Sequence, residues 1–161
     1  MEKPTITKED IIMKVIYIRF RGTYLEFRRN ALRMHRALVA FAVKNNLVIP
    51  SVTRILTIYH DNPFITKATD LRTSMAMTVP LDSKYEEDDQ ICTMNISGKY
   101  AILHYNLSRR EYDEAWKYAY HEWLFKSDDK PRDSFPFEMY ITEPPKNASD
   151  RSLTDIYIPI E

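Results

Sequence analysis

One carboxylate stands where a strand should be apolar. In the run Phe137-Glu138-Met139-Tyr140, period-two alternation places Glu138 on the face opposite Phe137 and Met139, with Tyr140 diagonally beside it through the pleat. A charge in mid-strand is uncommon, because burying it unpaired costs several kcal/mol. Chemically it could serve as an anion that pairs with a cationic ligand, or as a general acid or base. Structurally it could sit on an exposed edge or bridge to a neighbouring arginine. The surrounding residues leave these readings open.

The sequence has 11 Tyr, 7 Phe and 2 Trp. Trp116, Trp123, Tyr59, Tyr105 and Tyr140 are the candidates for an aromatic box around such a carboxylate. Each ring face adds about 0.5–2 kcal/mol to the holding of a cation, and the charge supplies direction. Core packing serves each of these residues equally well. Tyr59 and Tyr140 are preferred, because they occupy matching positions in the repeat described below.

Other reactive types carry less. His35, His60, His104 and His121 show no metal-ligand spacing, so no metal is expected. Cys92, next to Ile91, reads as a buried strand residue without an activating base. Asp61 and Asn62 cap a turn, and Arg72 reaches Asp61 or a ligand, with the structural role preferred. The only two glycines cannot build a phosphate-cradling loop, and no cofactor is expected.

The elements that must position these groups come in a repeated order. Met13 to Phe20 is a β-rich stretch closed by Gly22, and Tyr24 to Asn46 has the three-to-four spacing of a helix with one buried stripe. Strands at Arg54–Tyr59 and Thr73–Val79 follow. The charged run Lys84–Gln90 is a solvated connector. Strands then come at Ile91–Ile96 and Tyr100–Tyr105, around Gly98. Ser108-Arg109-Arg110-Glu111 matches a capping box. The helix beyond it buries Tyr112, Ala115, Trp116, Ala119 and Trp123, and strands at Phe135–Ile141 and Leu153–Ile160 close the chain.

Laid over each other the two halves keep register. Lys14–Phe20 corresponds to Lys99–Tyr105, Tyr59 to Tyr140, and Val79-Pro80 to Ile158-Pro159. A β-α-β-β unit of roughly 80 residues is therefore expected twice. The partition is a tail over 1–11 and one domain over 12–161, with half one about 12–83 and half two about 90–161. Glu138 corresponds to Thr57, so the carboxylate breaks the repeat. The fold class is α+β: two tandem halves forming one curved antiparallel sheet, with two long helices on one side and a central pocket.

Charge balance, 23 basic against 23 acidic residues, gives no net-basic signal for a duplex-binding surface. A single cysteine excludes an internal disulfide and suits a reducing compartment. There is no signal-like start and no apolar run of membrane-spanning length, so a soluble, cytoplasmic protein is expected.

Six motifs in order carry a resemblance: IYHDNP (58–63), LRTSMAMTVP (71–80), ISGKYAILHY (96–105), EWLF (122–125), FPFEMYITEP (135–144) and DIYIPI (155–160). Together they resemble the GyrI-like small-molecule-binding domain over residues 12 to 161. The resemblance implies a paired β-α-β-β fold around a pocket, and it places Glu138 at the family's pocket glutamate. It also implies one of two settings: the effector domain behind an AraC-type or MerR-type DNA-binding domain, or a free-standing relative of a gyrase inhibitor. Ser97 and Asn106-Leu107 depart from the common pattern, which bears on the shape of the second edge.

Three functions follow from that resemblance. The first is a module that binds a hydrophobic, cationic small molecule through Glu138, Tyr140, Tyr59, Trp116, Trp123 and Tyr105, as a regulator's ligand sensor or a drug-binding protein. The second is a hydrolase of strained, reactive toxins with Glu138 as its catalytic carboxylate; no other catalytic residue is assigned. The third is a gyrase-inhibitor-like interaction. Partners on these readings are a hydrophobic small molecule and a protein, either a DNA-binding domain or gyrase. The dozen residues before the first strand are too few for a helix-turn-helix. Neither nucleic-acid nor membrane binding by this chain is expected.

Overall fold

The computed structural model describes residues 1–161. The chain divides into two compact units, one of Ile12–Ser97 and one of Met1–Ile11 with Gly98–Glu161. Each is an α+β unit of antiparallel strands in the expected β-α-β-β order.

In the Ile12–Ser97 unit, strand β1 (Thr5–Arg21, from Ile12 onward) leads into helix α1 (Tyr24–Lys44). Strands β2 (Ile55–Tyr59) and β3 (Arg72–Val79) follow. β3 is central, with Ile16 opposite Met77 on one side and Thr57 opposite Met75 on the other. Ile16, Ile18, Met75 and Met77 line one sheet face and pack against Phe27, Met34, Leu38 and Phe41 of α1. These helical positions recur at the three-to-four spacing of one buried stripe.

The start of α1 is set by a capping box. Thr23 Oγ1 accepts from the Glu26 amide at 3.1 Å, and Glu26 Oε1 accepts from the Thr23 amide at 3.2 Å. The helix stops at Lys44, two residues before the expected end, because Asn46 turns left-handed at φ 56° and the Leu47 amide reaches back to the Ala42 carbonyl.

In the other unit, strand β4 (Cys92–Ser108, from Gly98 onward) and strand β5 (Phe137–Tyr140) both pair with a central β6 (Arg151–Pro159). Leu103, Tyr105, Leu107, Ile156 and Ile158 form the sheet side of its core. The helical segment opposite is shorter and less regular than the long helix expected. Helix α2 (Tyr112–Lys117) widens into a π-helical turn over Tyr118–Trp123 and ends in a 3-10 turn, Leu124–Lys126. Its buried residues explain the widening: Ala115 and Ala119 are four apart, but Leu124 comes five later. An α-helical register would turn Glu122 or Trp123 inward, whereas a wider turn presents Leu124.

Three further boundaries differ from the sequence reading. β1 begins at Thr5 rather than near Met13; Ile6 packs against the second core and Thr7 Oγ1 bonds to His104 Nε2 at 2.9 Å, which ties down this polar stretch. The expected strands flanking Gly98 are one 17-residue strand. Gly98 has φ 109°, and a Cβ there would lie 2.7 Å from the Arg132 guanidinium, so the glycine admits a close approach without ending the strand. Only the backbone half of the expected capping box at Ser108 forms: Glu111 Oε1 accepts from the Ser108 amide at 2.9 Å, while the Glu111 amide goes to the Ser108 carbonyl.

No helix is long and apolar enough to cross a membrane.

Candidate functional site

Glu138 lies in β5 opposite Ile156 of β6, on the face that carries the second core. It is 5% exposed, so the carboxylate does not stand in solvent. Two neutral donors meet its oxygens. Trp116 Nε1 donates to Glu138 Oε1 at 2.6 Å, and the Tyr140 hydroxyl donates to Oε2 at 2.7 Å. An indole N–H can only donate, and both contacts suit a carboxylate that accepts at each oxygen. The pleat explains Tyr140, two residues along on the same side; helix packing explains Trp116.

Two further aromatics join this group. Tyr120 stacks on Trp116, with ring centroids 6.1 Å apart and planes at 20°. The Tyr112 hydroxyl bonds to Thr154 Oγ1 at 2.8 Å, and Thr154 stands opposite Tyr140. Burial, and to a lesser extent the negative charge of Glu138, raise Tyr112 above the usual phenol range. Burial alone pushes Tyr120 up to about 12. Both phenols are therefore neutral near pH 7. Tyr112, Trp116 and Tyr120 are four residues apart, so a ladder on one helical face is the signal that finds Tyr120.

Two of the remaining candidates pack into the core of the same unit. Tyr105 is 3% exposed, and its hydroxyl donates to the Ala115 carbonyl at 2.9 Å, which ties it to the α2 backbone. Trp123 packs against the second core at the end of the π turn. Tyr59 ends β2 in the Ile12–Ser97 unit, edge-on to Tyr24 with centroids 5.7 Å apart. Within the unit of Gly98–Glu161, Glu138, Tyr140 and Trp116 are in direct contact.

Each unit also holds a polar cluster of its own. His60 Nε2 and Ser74 Oγ are 2.7 Å apart and buried. Burial first, then the charges of Arg19 and Arg72, push His60 down to about 4 against a smaller opposing pull from Asp61. In the second unit His104 Nδ1 meets Asp155 Oδ1 at 2.9 Å. The turn residues behave as read from the sequence: Asp61 takes two bonds from the Arg72 guanidinium, at 2.7 and 3.0 Å, and Asn62 Oδ1 accepts from the Phe64 amide at 2.9 Å. Chemically, then, the Glu138 group is the one that unites a buried anion with aromatic faces.

Comparison with known proteins agrees with this fold. The EcmrR C-terminal domain is similar at TM-score 0.72 and 15% identity, with 98% of each chain covered. In the EcmrR–DNA complex the match has TM-score 0.71 and 15% identity, and covers 98% of this chain but 57% of that one. This chain thus spans little more than half of that one. A hydrolase from Listeria innocua is similar at TM-score 0.68 and 10% identity, covering 99% of this chain and 93% of its own. SAV2435, solved bound to tetraphenylphosphonium, is similar at TM-score 0.57 and 9% identity, with 98% and 94% covered. At such identities the likeness is one of fold. No curated protein matches the sequence. The family model of the GyrI-like small molecule binding domain matches residues 4–161. With nearly the whole chain matched, this protein belongs to the GyrI-like small-molecule-binding domain family.

Proposed function

We propose that this domain binds a hydrophobic cation, with Glu138 as counter-ion and Trp116, Tyr140, Tyr112 and Tyr120 as apolar walls. The observation that supports it is the carboxylate itself: 5% exposed, held by an indole N–H and a phenol O–H, and set among stacked rings. Such a group attracts a positive charge through the carboxylate and favours aromatic or aliphatic bulk through the rings. The bulky aromatic cation seen in SAV2435 is a ligand of this chemistry. As part of a transcription regulator, a role suggested by the likeness to EcmrR, the domain would act as a sensor by binding one of its conformations more tightly.

A second reading is a hydrolase, favoured by the Tyr140 hydroxyl 2.7 Å from Glu138 Oε2. There Glu138 would take a proton from an attacking water while a phenol stands ready beside it.

The test is calorimetric and thermal titration of the whole chain with tetraphenylphosphonium and with a neutral aromatic compound of similar size. At a ligand concentration about a hundredfold above Kd, the cation stabilises the protein by about 2.7 kcal/mol. Glu138→Gln abolishes that shift while leaving the neutral compound's behaviour unchanged. A cation-induced shift that survives in Glu138→Gln, or none in the native chain, overturns the reading.

A further inference from the structure

Two hydrogen bonds to one imidazole join three side chains of the unit formed by Met1–Ile11 and Gly98–Glu161. His104 Nδ1 lies 2.9 Å from Asp155 Oδ1, and His104 Nε2 lies 2.9 Å from Thr7 Oγ1. His104 and Asp155 stand opposite each other in the β4–β6 ladder. Their chain neighbours Leu103, Tyr105 and Ile156 point into the second core, so the pair occupies the other face of the sheet. Thr7 shares that face, because its neighbour Ile6 packs against the same core. Glu138 is on the core side, so the two groups are separate.

The order of the bonds fixes the protons. A carboxylate only accepts, so in the neutral ring the hydrogen sits on Nδ1 and points at Asp155. Nε2 then offers a lone pair, and the Thr7 hydroxyl donates to it. A hydroxyl bonded to an imidazole whose far nitrogen is held by a carboxylate is the arrangement that activates an oxygen nucleophile. Exposure rises along the chain of bonds: the Asp155 side chain is 13% exposed, that of His104 38%, and Thr7 is open to solvent. Burial raises Asp155 above the usual carboxylate range, its bond to His104 pulls it back, and the charge of Glu9 adds a smaller push upward.

The same face supplies two further groups. Asn106 follows His104 by two residues, about 6.6 Å along the strand. It is exposed, and Arg151 engages only its main-chain carbonyl, which leaves the side-chain amide to donate. Leu153, opposite Asn106, is 47% exposed and offers an apolar contact.

We propose that Thr7, His104 and Asp155 form an acyl-transfer site whose hydroxyl takes the acyl group of a small, neutral, activated ester. Thr7 Oγ bonds to the carbonyl carbon as its proton passes to His104 Nε2. The bond from that carbon to the leaving oxygen then breaks, and His104 returns the proton to the departing group. Water completes the cycle: it gives a proton to Nε2, its oxygen bonds to the acyl carbon, and Thr7 Oγ leaves and recovers the proton. Asn106 is the side-chain donor this face offers to the carbonyl oxygen as it gains charge. Asp155 touches no reacting atom and is a positioning residue that holds the ring in its Nδ1–H form. Negative charge on Asp155 and Glu9 disfavours an anionic acyl donor.

The inference is independent of the Glu138 site and needs no ligand there. The probe is p-nitrophenyl acetate, added to the whole chain at about pH 8, where the Asp155 carboxylate is ionised. The expected result is a burst of about one p-nitrophenol per chain, with an acetyl group on Thr7. Alkaline hydroxylamine removes that group, as it does esters but not lysine amides. Thr7→Val abolishes the adduct and Thr7→Ser keeps it; the position is exposed, and circular dichroism checks that both variants fold. His104→Gln slows acylation by about a hundredfold or more. Acetyl phosphate, an anionic donor, labels Thr7 far more slowly. For Asp155→Asn the readout includes the imidazole tautomer, followed by heteronuclear NMR. The native ring is in the Nδ1–H form, and the variant's amide, able to donate to Nδ1, moves it toward Nε2–H and slows acylation with it. Acetyl groups on lysines alone, a Thr7 adduct that forms equally fast in His104→Gln, or an Nε2–H ring in the native protein overturns the proposal.

Discussion

Trp116 Nε1 lies 2.6 Å from Glu138 Oε1, joining the helical segment to β5 across 22 residues of sequence. The bond orients the indole while its ring stacks on Tyr120, so one side chain both steadies the carboxylate and forms part of its apolar surround. Replacing Trp116 with Phe retains an aromatic ring and removes the donor. One buried carboxylate oxygen then loses a partner, a cost of about 1–3 kcal/mol. Urea denaturation of Trp116→Phe checks the loss. In the Glu138→Leu background, where no carboxylate remains to be satisfied, the same substitution should cost less; equal costs in both backgrounds would mean that packing alone couples the two residues.

How much of this was legible in the sequence depends on range. The repeated β-α-β-β order was, because strand and helix periodicities are local. Glu138 stood out because it interrupts an apolar strand and its counterpart Thr57 is uncharged. Its bond to Trp116 was not legible, since it depends on how a helix packs on a sheet. Tyr120 continues the spacing of Tyr112 and Trp116, but the stripe expected to be buried runs through its neighbour Ala119, and all three rings are only half-buried. Thr23-Tyr24-Leu25-Glu26 is a capping box in plain view and also went unread, while the one read at Ser108 forms only in half. The π turn has no local signature, because it answers to the placement of Leu124 in the core.

His60 gives the protein a pH dependence of definite sign. It is 9% exposed, and its value drops from 6.5 to about 4, mainly through burial. Between those values the unfolded chain binds a proton that the folded protein refuses, so protonation favours unfolding. The contribution is intact above pH 6.5 and is lost progressively as pH falls toward 4, by about 3 kcal/mol in all. Chemical denaturation at a series of pH values, compared with His60→Gln, isolates this term from the carboxylates. Parallel curves for the two proteins between pH 6.5 and 4 would mean that His60 is protonated in the folded state.

Gly98 predicts a cost with two separable parts. An alanine there places Cβ 2.7 Å from Arg132 Nη2 and must also adopt φ 109°. Gly98→Ala should destabilise the protein by about 1–3 kcal/mol. In the background of Arg132→Ala the clash disappears and only the backbone term remains, so the penalty shrinks without vanishing. Thermal unfolding of the four proteins in this cycle checks it. An unchanged penalty would assign the whole cost to backbone conformation.

Tyr140→Phe separates binding from turnover at the carboxylate. The substitution keeps the ring and removes the hydroxyl that donates to Glu138 Oε2. For a cation-binding site the charge and the aromatic wall persist, and a lost hydrogen bond of about 1 kcal/mol changes affinity for tetraphenylphosphonium by roughly fivefold at most. For a hydrolase the phenol positions the base or passes a proton, and its removal lowers kcat by about a hundredfold or more while KM moves little. Measuring tetraphenylphosphonium affinity and hydrolysis of a reactive electrophile on the same pair of proteins distinguishes these cases. Retained affinity with no turnover by either protein supports a sensor. Turnover by the native chain that collapses in Tyr140→Phe would make Glu138 a catalytic base, with cation binding reporting only the charge of the site.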